Sequence, residues 1–208
     1  MLTEDNLVKN CFCDVFFRTR GEKKKIRPFE EKDSKSVRFV CLESAGKTDA
    51  SEYIRSFLLN TYCNYYVENE PHNCFVAVDE SNNAVGYILC AEDFDTFSKI
   101  FLTKYARRYL KFKGIYRLAS KISILEQKKY KHDYPAHLHI DLLPEYQHKG
   151  LGKQLINTLC DHLKKKGVKG VMLSVFIGNK GAIRFYEKCG FTKVKTGLTS
   201  IVFAKELI

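Results

Sequence analysis

Apolar and polar positions along the chain alternate in two rhythms. Over residues 150–166 the apolar residues Leu151, Leu155, Ile156, Leu159 and Leu163 recur at helical spacing, and Gly167 supplies a stop. Lys180–Cys189 is a second amphipathic helix, ending at Gly190. Between and around them lie short strand-like runs: Cys74–Val78, Ala84–Cys90, Ala136–Leu143 and Val168–Phe176. The polar stretch Asp79–Asn83 predicts a turn that makes a hairpin of the first two. Phe191–Lys195 and Thr199–Ala204 predict a closing hairpin. Upstream, Ile26–Phe29 reads as a short strand leading into a helix near Glu31–Leu42. Asp49 or Ser51 can cap a further helix through Ile54, Leu58 and Leu59. The predicted order is β α α β β, a helical insertion, then β α β α β β. This is a mixed α/β sheet with a strand–helix–strand crossover in its second half. Residues 1–25 carry little pattern.

With 208 residues, 45% apolar and 28% charged, the chain suits one domain with an insertion and is not disordered. No run approaches the ~18–20 uncharged apolar residues of a membrane span. Glu4 and Asp5 open the chain and Asp14 interrupts the apolar run around Phe16, which argues against a signal peptide and makes the cytoplasm the expected compartment. Cys41, Cys74, Cys90 and Cys160 sit inside apolar periodic segments, as small core residues do, so reduced thiols are expected. Cys11 and Cys13 have no second pair at zinc-site spacing.

Charge changes the picture in one place. The net charge is +11, and residues 99–131 hold eleven Lys or Arg against one acid, Glu126, so that segment alone carries +10. Phe101, Tyr105, Tyr109, Phe112 and Tyr116 recur there at steps of three and four, predicting a basic amphipathic helix, or two, from about Asp95 to Lys131. One reading is an arm for an acidic partner: nucleic acid, a membrane surface or an anionic ligand. The other, which we prefer, is an inserted helix that packs its aromatic face and solvates its lysines. No DNA- or RNA-binding motif accompanies the charge.

Chemistry concentrates in Leu138–Lys153. A strand ends, a polar loop with Gly150 and Gly152 follows, and a helix begins. Free N–H groups at a helix start bind anions, and glycines let a phosphate approach the backbone. The spacing is neither the dinucleotide G-x-G-x-x-G nor a Walker A loop. Residues 137, 139 and 141 alternate on one strand face, opposite Leu138, Ile140 and Leu142. That His-x-His-x-Asp face admits three readings: a metal site, a hydrogen-bonded core network, or the seat of a catalytic base.

Gln147-x-x-Gly150-x-Gly152 resembles the pyrophosphate loop of the GNAT family of N-acetyltransferases, Gln/Arg-x-x-Gly-x-Gly/Ala. About thirty residues on, Asn179-Lys180-Gly181-Ala182-Ile183-Arg184-Phe185-Tyr186-Glu187-Lys188-Cys189-Gly190-Phe191 is similar to the family's Asn-x-x-Ala-x-x-Phe-Tyr-x-x-x-Gly-Phe. The match covers about residues 136–204, with the insertion at about 95–134, inside a single domain spanning 1–208. The wording His139–Gln147 also resembles a subset related to the acetyltransferase-like domains found beside O-GlcNAc hydrolases. The family's fold is a mixed, mostly antiparallel twisted sheet flanked by helices. The resemblance implies acetyl-CoA as cofactor and no metal. It implies that amides of Leu142 and Leu143 pair with the pantetheine arm. Amides of Gln147, His148, Lys149, Gly150, Leu151, Gly152 and Lys153 would hold the pyrophosphate. Asn179 would contact pantetheine, Ala182 would permit close approach, and Tyr186 would protonate the leaving thiolate. Phe185 belongs to the same motif and also suits the core.

Acetyl transfer to an amine needs a base, because an ammonium must lose a proton before it attacks a thioester. Asp141, nearest the strand end, is the first candidate and His139 the second. A backbone N–H near Leu142 would stabilise the oxyanion. The expected acceptor is a small-molecule or peptide amine. The basic insertion leaves nucleic acid open as a less favoured partner, and the resemblance leaves room for a homodimer. The competing reading is a non-catalytic module that kept the fold and binds acetyl-CoA or a partner.

Overall fold

The computed structural model describes residues 25–108 and 124–207. One seven-stranded sheet runs through them: β1 (Lys25–Pro28), β2 (Phe75–Val78), β3 (Ala84–Ala91), β4 (Ala136–Leu142), β5 (Gly170–Phe176), β6 (Thr192–Thr196) and β7 (Ser200–Glu206). Their spatial order is β1-β2-β3-β4-β5-β7-β6. Every neighbouring pair is antiparallel except β4–β5, which the crossover makes parallel. Both predicted hairpins, β2–β3 and β6–β7, are present.

The helices are α1 (Ser34–Ser44), α2 (Glu52–Tyr62), α3 (Asn64–Asn69), α4 (Phe94–Ile100), α5 (Leu151–Lys165) and α6 (Lys180–Lys188). Helix α3 has no counterpart in the sequence pattern. It follows α2 after the single residue Cys63, and its Tyr65, Tyr66 and Val67 are all buried, so no one-sided periodicity marks it. Ser51 stands at the N-cap of α2 but makes no side-chain cap, whereas Asp93 caps α4 by accepting from the Thr96 amide.

The two faces of the sheet carry different helices. Leu151, Leu155, Ile156, Leu159 and Leu163 of α5 are all 0–1% exposed against Ile88, Leu138, Val171 and Leu173. Each such burial is worth about 1.5–3 kcal/mol. Helix α6 joins this face through Ile183 and Tyr186. Helices α1, α3 and α4 cover the opposite face around Tyr65, Tyr66, Tyr87 and Phe97. Cys41, Cys63, Cys74, Cys90, Cys160 and Cys189 are free thiols within this packing.

The insertion packs as its aromatic spacing predicts, as far as it is described. Helix α4 continues through a π-helical segment, Phe101–Tyr105, into Ala106–Arg108, with Phe101 and Tyr105 buried. Tyr109, Phe112 and Tyr116 lie outside the described residues. Several of the cations are committed to carboxylates. Glu68 receives Lys104 at 3.4 Å and Arg108 at 3.7 Å, and Lys131 pairs with Asp95. Glu126, the segment's single acid, bonds Ser200 Oγ at 2.9 Å and Lys195 at 3.3 Å, which ties the helical stretch 124–128 to the β6–β7 hairpin. Among the described residues no helix is long and apolar enough to cross a membrane.

Candidate active site

Strand β4 leaves β5 almost at once. Their ladder holds only Ala136–Val171 and His137–Met172, and beyond it the two parallel strands part toward their C-terminal ends. On its other edge β4 stays paired with β3 as far as Gly86–Leu142. Leu142 comes so close to Gly86 that a Cβ there would meet Leu142 Cδ2 at 2.2 Å. The Leu143 amide donates to Val85 O at 2.9 Å, so by alternation the N–H groups of Ile140 and Leu142 point the other way, into the gap beside β5. This places Leu142 where the sequence reading needs a backbone donor. It corrects the reading of Leu143, whose N–H belongs to β3 and whose carbonyl accepts from Tyr146 N at 2.9 Å.

The loop between β4 and α5 is shaped by two left-handed residues, His148 (φ 58°) and Gly150 (φ 81°). Gly150 is the N-cap of α5 and no side chain caps this helix start. The first intrahelical bond is Gln154 N to Gly150 O at 3.2 Å, so the amides of Leu151, Gly152 and Lys153 have no acceptor within the helix. With those of His148, Lys149 and Gly150 they line the loop. Gln147 is the exception. Its amide donates to Pro144 O at 3.2 Å and its Nε2 to Leu142 O at 3.0 Å, so it braces the loop against the strand end and is not itself a free backbone donor. Gly152 serves packing: a Cβ there would lie 3.0 Å from the Phe185 ring.

Helix α6 brings the second motif to the same face of the sheet. Asn179 caps it, its Oδ1 accepting from the Ala182 amide at 3.0 Å, which leaves the Asn179 amide nitrogen as the group able to donate. Phe185 is half-buried with its ring edge-on to Tyr186. Tyr186 is buried, and burial first and the Asp141 charge second raise its phenol, keeping it protonated.

On the other face of β4 stand His137, His139 and Asp141. His137 is 3% exposed, its Nδ1 sits 2.8 Å from the Tyr66 hydroxyl, and Phe97 and Phe94 flank its ring. Burial pushes it well down, so it is neutral. His139 meets His137, Tyr62 and Tyr66 edge-on, and burial lowers it to about 4. Asp141 accepts from the Tyr87 hydroxyl at 2.5 Å. Burial raises it to about 6, against the lowering effect of the Tyr87 and Ser44 side chains. The alternation on β4 is therefore split: His137 is a buried core hydrogen-bonding residue, whereas Asp141 is half-buried, bonded to Tyr87, with its carboxyl raised toward neutrality. Among the described residues no three His, Cys, Asp or Glu side chains converge as metal ligands would. Tyr87 and Tyr66 had no sequence signal, since each reaches the site only through cross-strand register or helix packing.

A splayed pair of parallel strands and an uncapped helix start lie at the C-terminal end of β4, with the half-buried Asp141 carboxylate on the strand's other face. The sequence profile of the acetyltransferase (GNAT) family matches residues 41–191. This chain belongs to the GNAT family. Membership makes it an N-acetyltransferase, an acyltransferase with acetyl-CoA as co-substrate. The GNAT chain is 32% identical over 103 residues to the [ribosomal protein bS18]-alanine N-acetyltransferase of Escherichia coli, covering 50% of this chain and 68% of that protein. It is 23% identical over 197 residues to N-alpha-acetyltransferase 30 of Xenopus laevis, covering 92% and 60%. The crystal structure of SsHAT superimposes with a TM-score of 0.79 at 27% identity, over 89% of this chain and 98% of that one. PaiA N-acetyltransferase of Thermoplasma acidophilum, solved with coenzyme A, shares the fold with a TM-score of 0.57 at 22% identity, over 88% and 98%.

Proposed function

We propose that this GNAT enzyme binds acetyl-CoA along the gap between β4 and β5 and acetylates a primary amine presented to Asp141. The observation that carries the reading is the parting of the two strands beyond His137, which turns the Leu142 N–H and the uncapped start of α5 toward one opening. The amides of His148 to Lys153 suit a pyrophosphate, with the helix dipole adding to their pull. Acetyl-CoA supplies the acetyl thioester. Asp141 takes the proton from the incoming ammonium, directly or through water. Its raised pKa makes it a competent base near neutrality, where a carboxylate at the ordinary value would be too weak. His139, lowered to about 4 among aromatic edges, is a weaker base. The Leu142 N–H stabilises the developing oxyanion, and Tyr186, held protonated, donates to the departing thiolate.

The acceptor belongs to the class of small-molecule or peptide amines. The bS18-alanine enzyme among its relatives supports a peptide N-terminus, and an agmatine N-acetyltransferase among its fold neighbours makes a small guanidino-amine the natural comparison. The test is calorimetric titration of acetyl-CoA and CoA, followed by thiol release against peptides beginning with alanine, agmatine and lysine-bearing peptides. Binding with acceptor-dependent thiol release is expected. Absence of acetyl-CoA binding would overturn the loop assignment, and binding without release from any amine would favour a non-catalytic acetyl-CoA-binding module.

A further inference from the structure

Residue Tyr87 stands directly across the sheet from Asp141, in the register pair Tyr87–Asp141 of β3 and β4. In an antiparallel pair such residues share a face, so the phenol reaches the carboxylate from its own strand without a loop in between. The ring is 0% exposed, held under α1, and its hydroxyl donates to Asp141 Oδ2 at 2.5 Å. The geometry points to Tyr87 as a positioning residue for the acetyl transfer: its phenol fixes the Asp141 carboxylate at the mouth and keeps it ionised to receive the proton of the amine. This rests on the reading of Asp141 as the base.

The surroundings make Tyr87 the dominant partner. Among the described residues, the groups that act on Asp141 or feel its charge are Tyr87 on β3, Ser44 and Cys41 on α1, Cys63 between α2 and α3, and Tyr186 on α6, with His139 beside it on the same strand face. The Tyr87 phenol and the Ser44 side chain favour the carboxylate, Tyr87 more than Ser44. Burial opposes both, and it also raises the thiols and phenols, so each of these stays uncharged and able only to polarise the site. Among the described residues, the groups acting on the Asp141 carboxyl include no cation. Within the protein the side-chain hydrogen bonds are what favour the ionised carboxylate of half-buried Asp141, and Tyr87 supplies the short one.

The experiment is the pH profile of kcat/KM for Tyr87→Phe, Asp141→Asn and the unaltered enzyme, with acetyl-CoA affinity measured by calorimetry for each. Tyr87→Phe keeps the buried ring and removes one oxygen. Its acid limb should move upward by roughly one to two pH units, the size of one lost hydrogen bond to a carboxylate, while acetyl-CoA affinity stays unchanged. A loss of activity equal at every pH, with the limb in place, would show that Tyr87 only fills space and would overturn the proposal. Asp141→Asn separates this from failure of the base reading. Wild-type turnover and profile in that variant would remove Asp141 from proton transfer and Tyr87 with it. A shift-free Tyr87→Phe beside an inactive Asp141→Asn would sink Tyr87 alone. If Tyr87→Phe does not fold, 3-fluorotyrosine placed at residue 87 decides the matter. Its phenol is a stronger donor, so the acid limb should move downward, and an unmoved limb would overturn the proposal.

Discussion

The two sides of the mouth are made of different material. On the proposed cofactor side the groups on offer are backbone amides of residues 148–153, at an uncapped helix start and shaped by two left-handed residues. On the acceptor side they are side chains of β4, tuned by what is packed over them: Tyr87 on Asp141, and Tyr66 with Phe97 on His137. A backbone site tolerates many side chains but few changes of φ. A side-chain site tolerates neither loss of its group nor loss of the neighbours that set its protonation.

The sharpest way to break this contrast is at Gly150. Gly150→Glu puts a side chain on a residue at φ 81° and a carboxylate where a pyrophosphate is expected. Acetyl-CoA affinity should fall by at least ~100-fold in calorimetry. Gly150→Ala meets open space, its nearest neighbour being Gln154 Nε2 at 4.0 Å, and should show only the strain of about 1–2 kcal/mol.

Asp141→Asn should do the reverse: leave acetyl-CoA affinity intact and lower kcat by about 10²–10⁴-fold. In the unaltered enzyme kcat/KM should fall about tenfold per pH unit below about 6, as Asp141 takes up its proton. Stability should run the other way. A carboxyl raised from its ordinary value of 3.8 to about 6 holds its proton more tightly in the folded state, so folding is favoured below about pH 4 and that contribution is lost as pH rises through 6. Asp141→Asn should therefore melt higher than the unaltered protein at neutral pH and match it under acid conditions, as read by calorimetric Tm.

Tyr186→Phe should lower kcat about tenfold or more while sparing acetyl-CoA affinity, since its phenol is assigned to the leaving thiolate. An unchanged kcat would remove it from the chemistry. Gly152→Ala should cost about 1–3 kcal/mol in chemical denaturation, because its Cβ presses on Phe185 at 3.0 Å. The smallest effect belongs to the insertion. Glu68 is 31% exposed in its side chain, so Glu68→Gln should cost no more than about 1 kcal/mol and fade with salt.

The order of strands and the amphipathic helices α5 and α6 were legible because their residues face one way and their periods are long. Helix α3 was not, because buried Tyr65, Tyr66 and Val67 leave no polar stripe to read. The loop was legible because glycines mark where backbone must be free. The involvement of Gln147 and Leu143 was legible only as position. That the Gln147 amide turns to Pro144, and the Leu143 amide to Val85, depends on hydrogen bonds the pattern does not encode. The basic insertion shows the same limit. Its +10 is visible along the chain, but Glu68, which takes up Lys104 and Arg108, comes from α3.

The sequence by itself determined the family and marked the loop glycines and Asp141, His139 and Tyr186 as candidates, because local geometry and residue chemistry are carried by neighbours in the chain. Only the tertiary structure distinguishes the three β4 groups. Residues 137, 139 and 141 are equivalent by alternation, and their protonation is set by burial and by partners 54 and 71 positions away, Tyr87 and Tyr66. Such partners meet only when β3 and α3 pack against β4, and the low dielectric of that packing sets three similar polar side chains apart, lowering both imidazoles and raising the carboxyl that the proposed function takes as the base.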